Sequence, residues 1–185
     1  MTFATDTAAR LGLGLAAALL VAGMAAAETL MSKEEALDWA FPEADRVSKE
    51  VLYFSEAETE RVEELANAAM DSRLFTVYEA YRAGEISAYG FIDTRTVRSK
   101  PTTFMVVLDP DGSVRSTRIL AWQEPPEYQP PERWLAQFED RGLGDDTRLG
   151  GAITAMSGAS YTSSTLTDGL RRVLAIHRVK LAEKG

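Results

Sequence analysis

The chain has 185 residues and 45% apolar content, enough for one ordinary domain with a closed core. Its formal net charge is −8 and no Lys/Arg cluster forms a stripe, which argues against a nucleic-acid or anionic-membrane surface. Cysteine is absent and histidine occurs once, which excludes disulfides, Cys-based zinc or iron–sulfur sites, attached c-type haem and thiol nucleophiles. A redox role would therefore need a borrowed organic cofactor.

Residues Leu11 to Ala27 carry no charge, follow Arg10, and end in Ala25-Ala26-Ala27 before Glu28. This pattern reads as a secretory signal peptide over residues 1–27, with an uncleaved anchor as the alternative. The run is short for a spanning helix, which needs about 20 residues. A periplasmic or otherwise extracytoplasmic mature protein is expected.

From residue 28 to 75 the expectation is a helical segment packing on the remaining domain, residues 76–185. Ser32-Lys33-Glu34-Glu35 is a capping-box start for a helix carrying Leu37, Trp39 and Ala40, ended by Phe41-Pro42. Ser55-Glu56-Ala57-Glu58 opens a second helix, with Val62, Leu65, Ala66, Ala69 and Met70 at helical spacing. Between them, Arg46 to Phe54 suits either a short strand or an extended link.

The middle of the chain reads as β. Thr76 to Arg82 alternates, Ala83-Gly84-Glu85 turns the chain, and Ile86 to Thr94 returns, with Gly90 a bulge or a point of close approach. Thr102 to Leu108 is a continuous apolar and β-branched run; Asp109-Pro110-Asp111-Gly112 turns it into Val114 to Trp122. Two antiparallel hairpins flanked by N-terminal helices and a C-terminal helix make an α+β domain.

Pro130-Pro131-Glu132 begins a short helix through Trp134, Leu135 and Phe138, and Arg141 to Gly151 is a polar, Gly-rich loop. From Ser164 onward Leu166, Leu170, Val173, Leu174, His177 and Leu181 share one face of a last helix, on which His177 reads as a packed residue.

Just ahead of that helix lies Met156-Ser157-Gly158-Ala159-Ser160-Tyr161-Thr162-Ser163. Two readings stay open from spacing alone. The hydroxyls cap the helix, or the loop and the helix N-terminus together receive an anion such as phosphate.

Ser157-Gly158-Ala159-Ser160 followed by Tyr161-Thr162-Ser163 resembles the S/T-G-A-T/S-x-T-S signature of the FMN-binding domain. That family includes the flavin subunits of the Rnf and Na+-translocating quinone reductase complexes. The strand order through Tyr89-Gly90-Phe91, Asp109-Pro110-Asp111-Gly112 and the Glu124-Pro125 segment is similar to the family's, as is the Trp134–Phe138 spacing. The resemblance runs from about Thr76 to Val173. It implies FMN esterified through its phosphate onto Ser160 by an FAD:protein FMN transferase. Ser157 and Thr162 would donate to the phosphate or cap the helix. Gly158 and Ala159 would be small to allow close approach, with the ring against the sheet, Glu124 and Trp134. The implied role is an electron carrier without substrate turnover, working between membrane-bound or periplasmic redox partners.

The sequence departs from the family pattern in three places. Where the family usually reads E-T-P-G, Glu124 and one Pro of Gln123-Glu124-Pro125-Pro126-Glu127-Tyr128 match but Pro126, Glu127 and Tyr128 do not, so a remodelled loop is expected; Thr154 stands where Asp is common, and the acceptor is Ser in place of Thr. Two other classes remain open: a secreted scaffold of the same fold without flavin, and a serine hydrolase using Gly158-Ala159-Ser160, whose closing Gly is replaced by Thr162.

Overall fold

The computed structural model describes residues 28–144 and 146–184. The expected signal peptide lies outside the described residues. Among the described residues no helix is long and apolar enough to cross a membrane.

Six strands form one antiparallel sheet: β1 (Glu28–Thr29), β2 (Arg46–Tyr53), β3 (Leu74–Arg82), β4 (Glu85–Val97), β5 (Lys100–Leu108) and β6 (Val114–Trp122), in the order β1-β6-β5-β4-β3-β2. The helices are α1 (Lys33–Ala40), α2 (Glu56–Ala66), α3 (Glu132–Leu135, prolonged by a 3-10 turn through Phe138) and α4 (Ser160–Lys180). The fold is α+β, as expected, with helices before and after the sheet.

The two expected hairpins are both present but are continuous with their neighbours. Ala83 (φ 53°) and Gly84 (φ 87°) form a two-residue turn between paired Arg82 and Glu85, with the left-handed geometry that matches strand twist. The β5–β6 turn closes on a bond from the Gly112 amide to Asp109 O at 2.9 Å. Segment 28–75 is more than helical: β2 pairs along its full length with β3, from Arg46↔Tyr81 to Tyr53↔Leu74. Arg46 to Phe54 was ambiguous because its charged residues give it little hydrophobic contrast. β2 is an edge strand, and an edge needs only one partner.

Gly90 marks a close approach and not a bulge. A Cβ there would stand 2.6 Å from Phe41 Cζ and 2.8 Å from Met105 Cε, whereas the register shift of this strand pair falls at Ala80/Tyr81. The sheet buries both faces. On one, α1 packs Ala36, Ala40 and Phe41 against Tyr78, Ala80, Ala88, Met105 and Val107. On the other, α2 and α4 cover Val77, Phe91, Phe104 and Val106 with Val62, Leu166, Leu170 and Val173.

α1 and α2 both begin in reciprocal capping boxes. Ser32 and Glu35 exchange bonds at 2.8 and 3.2 Å, and Ser55 and Glu58 at 2.8 and 3.3 Å. Each box satisfies two of the orphan donors at a helix start. The longest helix does not follow this pattern.

Candidate functional site: the open N-terminus of α4

α4 begins at Ser160, four residues before the sequence periodicity suggested, so Tyr161, Thr162 and Ser163 form its first turn. Apolar spacing could not reveal this, because the first turn is polar and its hydroxyls turn inward. Thr162 and Ser163 are both buried, at 1% and 0% exposure. The Ser163 hydroxyl accepts the Met156 N–H at 2.9 Å and donates to Ala159 O at 3.0 Å. Thr167 repeats the inward bond onto Ser163 O at 2.7 Å. Such back-bonding satisfies a buried hydroxyl within its own helix.

The capping reading of the loop is not what the structure has. The N-cap position is Ala159, no side chain caps it, and the first turn carries no acidic residue. The first helical amide with an acceptor is that of Ser163, to Ala159 O at 3.0 Å. Among the described residues the amides of Ser160, Tyr161 and Thr162 find no acceptor, leaving open donors at the positive end of a 21-residue helix dipole.

The loop that leads here is fixed in place. Ala159 N donates to Met156 O at 3.2 Å, closing a turn whose third residue, Gly158, has φ 77°. That left-handed backbone is the reason for glycine at this position. Within the protein a Cβ on Gly158 would meet nothing within 4 Å, so it is the backbone conformation and not packing inside the chain that asks for glycine here. Ala159 is buried, whereas Ser157 and Ser160 are exposed and their hydroxyls bond to no described residue. Ser160 therefore presents a free hydroxyl beside three free amides. Thr162, the other candidate hydroxyl of this turn, donates to Tyr128 O at 3.0 Å; its role is to tie α4 to the preceding loop.

A groove of about 510 Å³ opens beside this terminus, lined by Gln129, Arg133, Trp134, Met156, Ser157 and Ala159 among others. Trp134 is 5% exposed, meets Phe138 edge-to-face at 5.4 Å, and donates its indole N–H to Thr154 O at 2.7 Å. It is at once a core residue and one wall of the groove. Thr154 is further held by Gln137, whose Oε1 accepts its N–H at 2.9 Å. The helix α3 and the α4 loop are thus one hydrogen-bonded unit.

Glu124 lies at the end of β6 and is buried. Its Oε1 accepts the amides of Ser99 and Lys100, each at 2.8 Å, and the Ser99 hydroxyl at 3.3 Å. The Ser99 amide, foremost among these, holds the carboxyl below its ordinary range against the opposing effect of burial. Glu124 thus braces the β4–β5 turn at the rim, and that oxygen is committed there. The Pro126–Tyr128 stretch, expected to be remodelled, is a 3-10 turn anchored by Trp122, whose indole donates to Pro125 O at 3.2 Å.

Arg98, Tyr128 and Tyr161 meet at the same rim without having been singled out as site residues by sequence. The Arg98 guanidinium stands 5.7 Å from the Tyr128 ring centroid and 5.8 Å from that of Tyr161. Tyr161 is 63% exposed despite its size. Only the position of Tyr161 inside the signature hinted at this; Arg98 lies more than fifty residues earlier.

His177 is where its helical face put it, 2% exposed, edge-on to Tyr89 at 5.2 Å. It lies on the same straight helix as Ser160, 17 residues on, which at 1.5 Å per residue is about 25 Å away. The sole histidine of the chain cannot serve Ser160 as a base, which removes the hydrolase reading.

The inventory can receive an anionic ligand: the free amides and hydroxyl suit a phosphate, the groove volume lies in the roughly 300–1,000 Å³ range of ligand sites, and Trp134 offers an aromatic wall. No curated protein matches the chain. Residues 98–175 match the family model of the FMN-binding domain, from the β4–β5 turn to the middle of α4, beginning later than the resemblance from Thr76 suggested. The match covers less than half of the chain, and the cofactor that it implies is FMN.

Proposed function

We propose that the protein is an extracytoplasmic electron carrier holding FMN at the N-terminus of α4 through a phosphoester to Ser160. The observation that supports this reading is the contrast at the third amide of the helices. In α1 and α2 a serine hydroxyl caps it, whereas in α4 no side chain does, which leaves three amides without acceptors beside a free hydroxyl.

Attachment needs one exchange at phosphorus. Ser160 Oγ bonds to the flavin-side phosphorus of FAD, the pyrophosphate P–O bond breaks, AMP leaves, and the hydroxyl proton passes to the FAD:protein FMN transferase. Ser160 suits this because it is exposed and makes no competing bond, whereas Thr162 is buried and engaged. In the product, the amides of Ser160, Tyr161 and Thr162 would hold the phosphate oxygens, and the helix dipole would favour the remaining negative charge.

The bound flavin supplies one- or two-electron redox chemistry. The chain contributes the tether, the Trp134 wall and the braced rim, and takes no part in substrate turnover. The apolar run before Glu28 supports export, which makes membrane-bound or periplasmic redox proteins the natural donors and acceptors. Covalent attachment would keep the cofactor where free FMN is scarce.

Co-production with the transferase tests the reading. Intact mass of denatured protein should rise by one esterified FMN in the wild type and stay bare in Ser160→Ala. An equal mass increase in both would move the acceptor elsewhere.

A further inference from the structure

The β4–β5 turn puts a cation at the open end of α4. Arg98 occupies it with φ 48°, a left-handed conformation that non-glycine residues seldom adopt. The conformation is held from outside: Glu124 bonds the next two amides, those of Ser99 and Lys100. Among the described residues the Arg98 guanidinium forms no ion pair and no hydrogen bond. Its neighbours are the rings of Tyr128 and Tyr161, both within the roughly 6 Å over which a cation is drawn to an aromatic face. Most other arginines of the sheet and helices are committed: Arg82 to Glu43, Arg95 to Asp71 and Asp93, Arg115 to Asp109, Arg172 to Asp93.

Both rings tie Arg98 to the helix terminus. Tyr161 is the second residue of α4, next to Ser160, and Tyr128 O is the acceptor of the Thr162 hydroxyl. A five-donor, permanently charged fork therefore lies beside two rings attached to the start of α4, whose first three amides lack acceptors.

We propose that Arg98 is the positioning residue for the cofactor's phosphate. Its guanidinium pairs with the phosphate oxygens that the amides of Ser160, Tyr161 and Thr162 leave available, and Tyr128 and Tyr161 keep it extended toward that place. The assignment rests on FMN lying at the N-terminus of α4. It makes the site selective for a phosphorylated flavin before any covalent bond forms.

The test compares binding of free FMN and of riboflavin, which lacks the phosphate, to the purified protein by quenching of flavin fluorescence. Arg98→Asn is the informative variant, since Asn tolerates the left-handed backbone and removes only the charge. The wild type should prefer FMN. Arg98→Asn should weaken FMN binding by about tenfold, the worth of a charge-assisted bond at a partly exposed site, with riboflavin affinity unchanged. Arg98→Lys should recover part of the preference. Arg82→Asn, which removes the same net charge at the β3–β4 hairpin, should leave it intact. An unchanged FMN-to-riboflavin ratio in Arg98→Asn would overturn the assignment while leaving the flavin site standing. Failure of the wild type to bind FMN would overturn the flavin site and the assignment together.

Discussion

Two serines three positions apart should behave in opposite ways when each is cut to alanine. Ser163 is fully buried, and its hydroxyl both accepts the Met156 N–H and donates to Ala159 O. Ser163→Ala removes two hydrogen bonds, each with a net worth of about 1 kcal/mol, and leaves the Met156 amide without its partner. The expected loss is about 2 kcal/mol, read as a lower midpoint in urea unfolding with an unchanged slope. Because those bonds set the Met156–Ala159 turn, FMN loading should fall too. Ser160 is exposed and its hydroxyl bonds to nothing described, so Ser160→Ala should lie within about 0.5 kcal/mol of wild type. It should nevertheless abolish covalent flavin. A Ser160→Ala protein less stable than Ser163→Ala would refute the division of labour, since the outer serine would then be structural.

Other consequences follow from the core and the ionisable groups. Gly90→Ala should cost about 1–3 kcal/mol, because the new methyl collides with Phe41 and Met105 in a filled layer; unfolding midpoints measure it. Asp93→Ala strands the buried Arg172 guanidinium and should cost about 3–5 kcal/mol by the same assay. Burial foremost holds His177 below its ordinary value of about 6.5. Its contribution to stability is thus complete above that value and declines as pH falls below it, toward the lower folded value; His177→Gln should flatten that part of the pH–stability curve. Glu58 is held at about 2, first by Lys180 and then by Ser55, so its contribution is present above its ordinary value of 4.5 and is lost as pH falls toward 2. Glu58→Gln should remove that acid dependence in thermal unfolding at pH 2–5.

How much of this the sequence revealed depended on whether a signal was local. Capping boxes at Ser32 and Ser55 are four-residue patterns, and both are formed with both bonds. The hairpin turns at Ala83-Gly84 and Asp109–Gly112 are equally local, resting on positive φ at Gly84 and Gly112. β2 is hard to read because most of its residues face solvent and its alternation is interrupted by charge. The start of α4 was misplaced because Thr162 and Ser163 are polar by type yet buried by structure, their hydroxyls satisfied at Tyr128 O and Ala159 O. At the site, the signature singled out Ser157 to Thr162, which the structure places partly in the loop and partly in the first turn of α4. It could not say that Glu124 braces a turn or that Arg98 reaches the same rim, since both depend on strand register across the sheet.

The measurement closest to the central claim is an amide NMR comparison of the protein with and without FMN. The largest shifts should fall at the Ser160, Tyr161 and Thr162 amides, moving downfield as they gain phosphate acceptors, with the Trp134 indole N–H following. Shifts confined to the α1 face of the sheet, with those three amides unmoved, would contradict that claim.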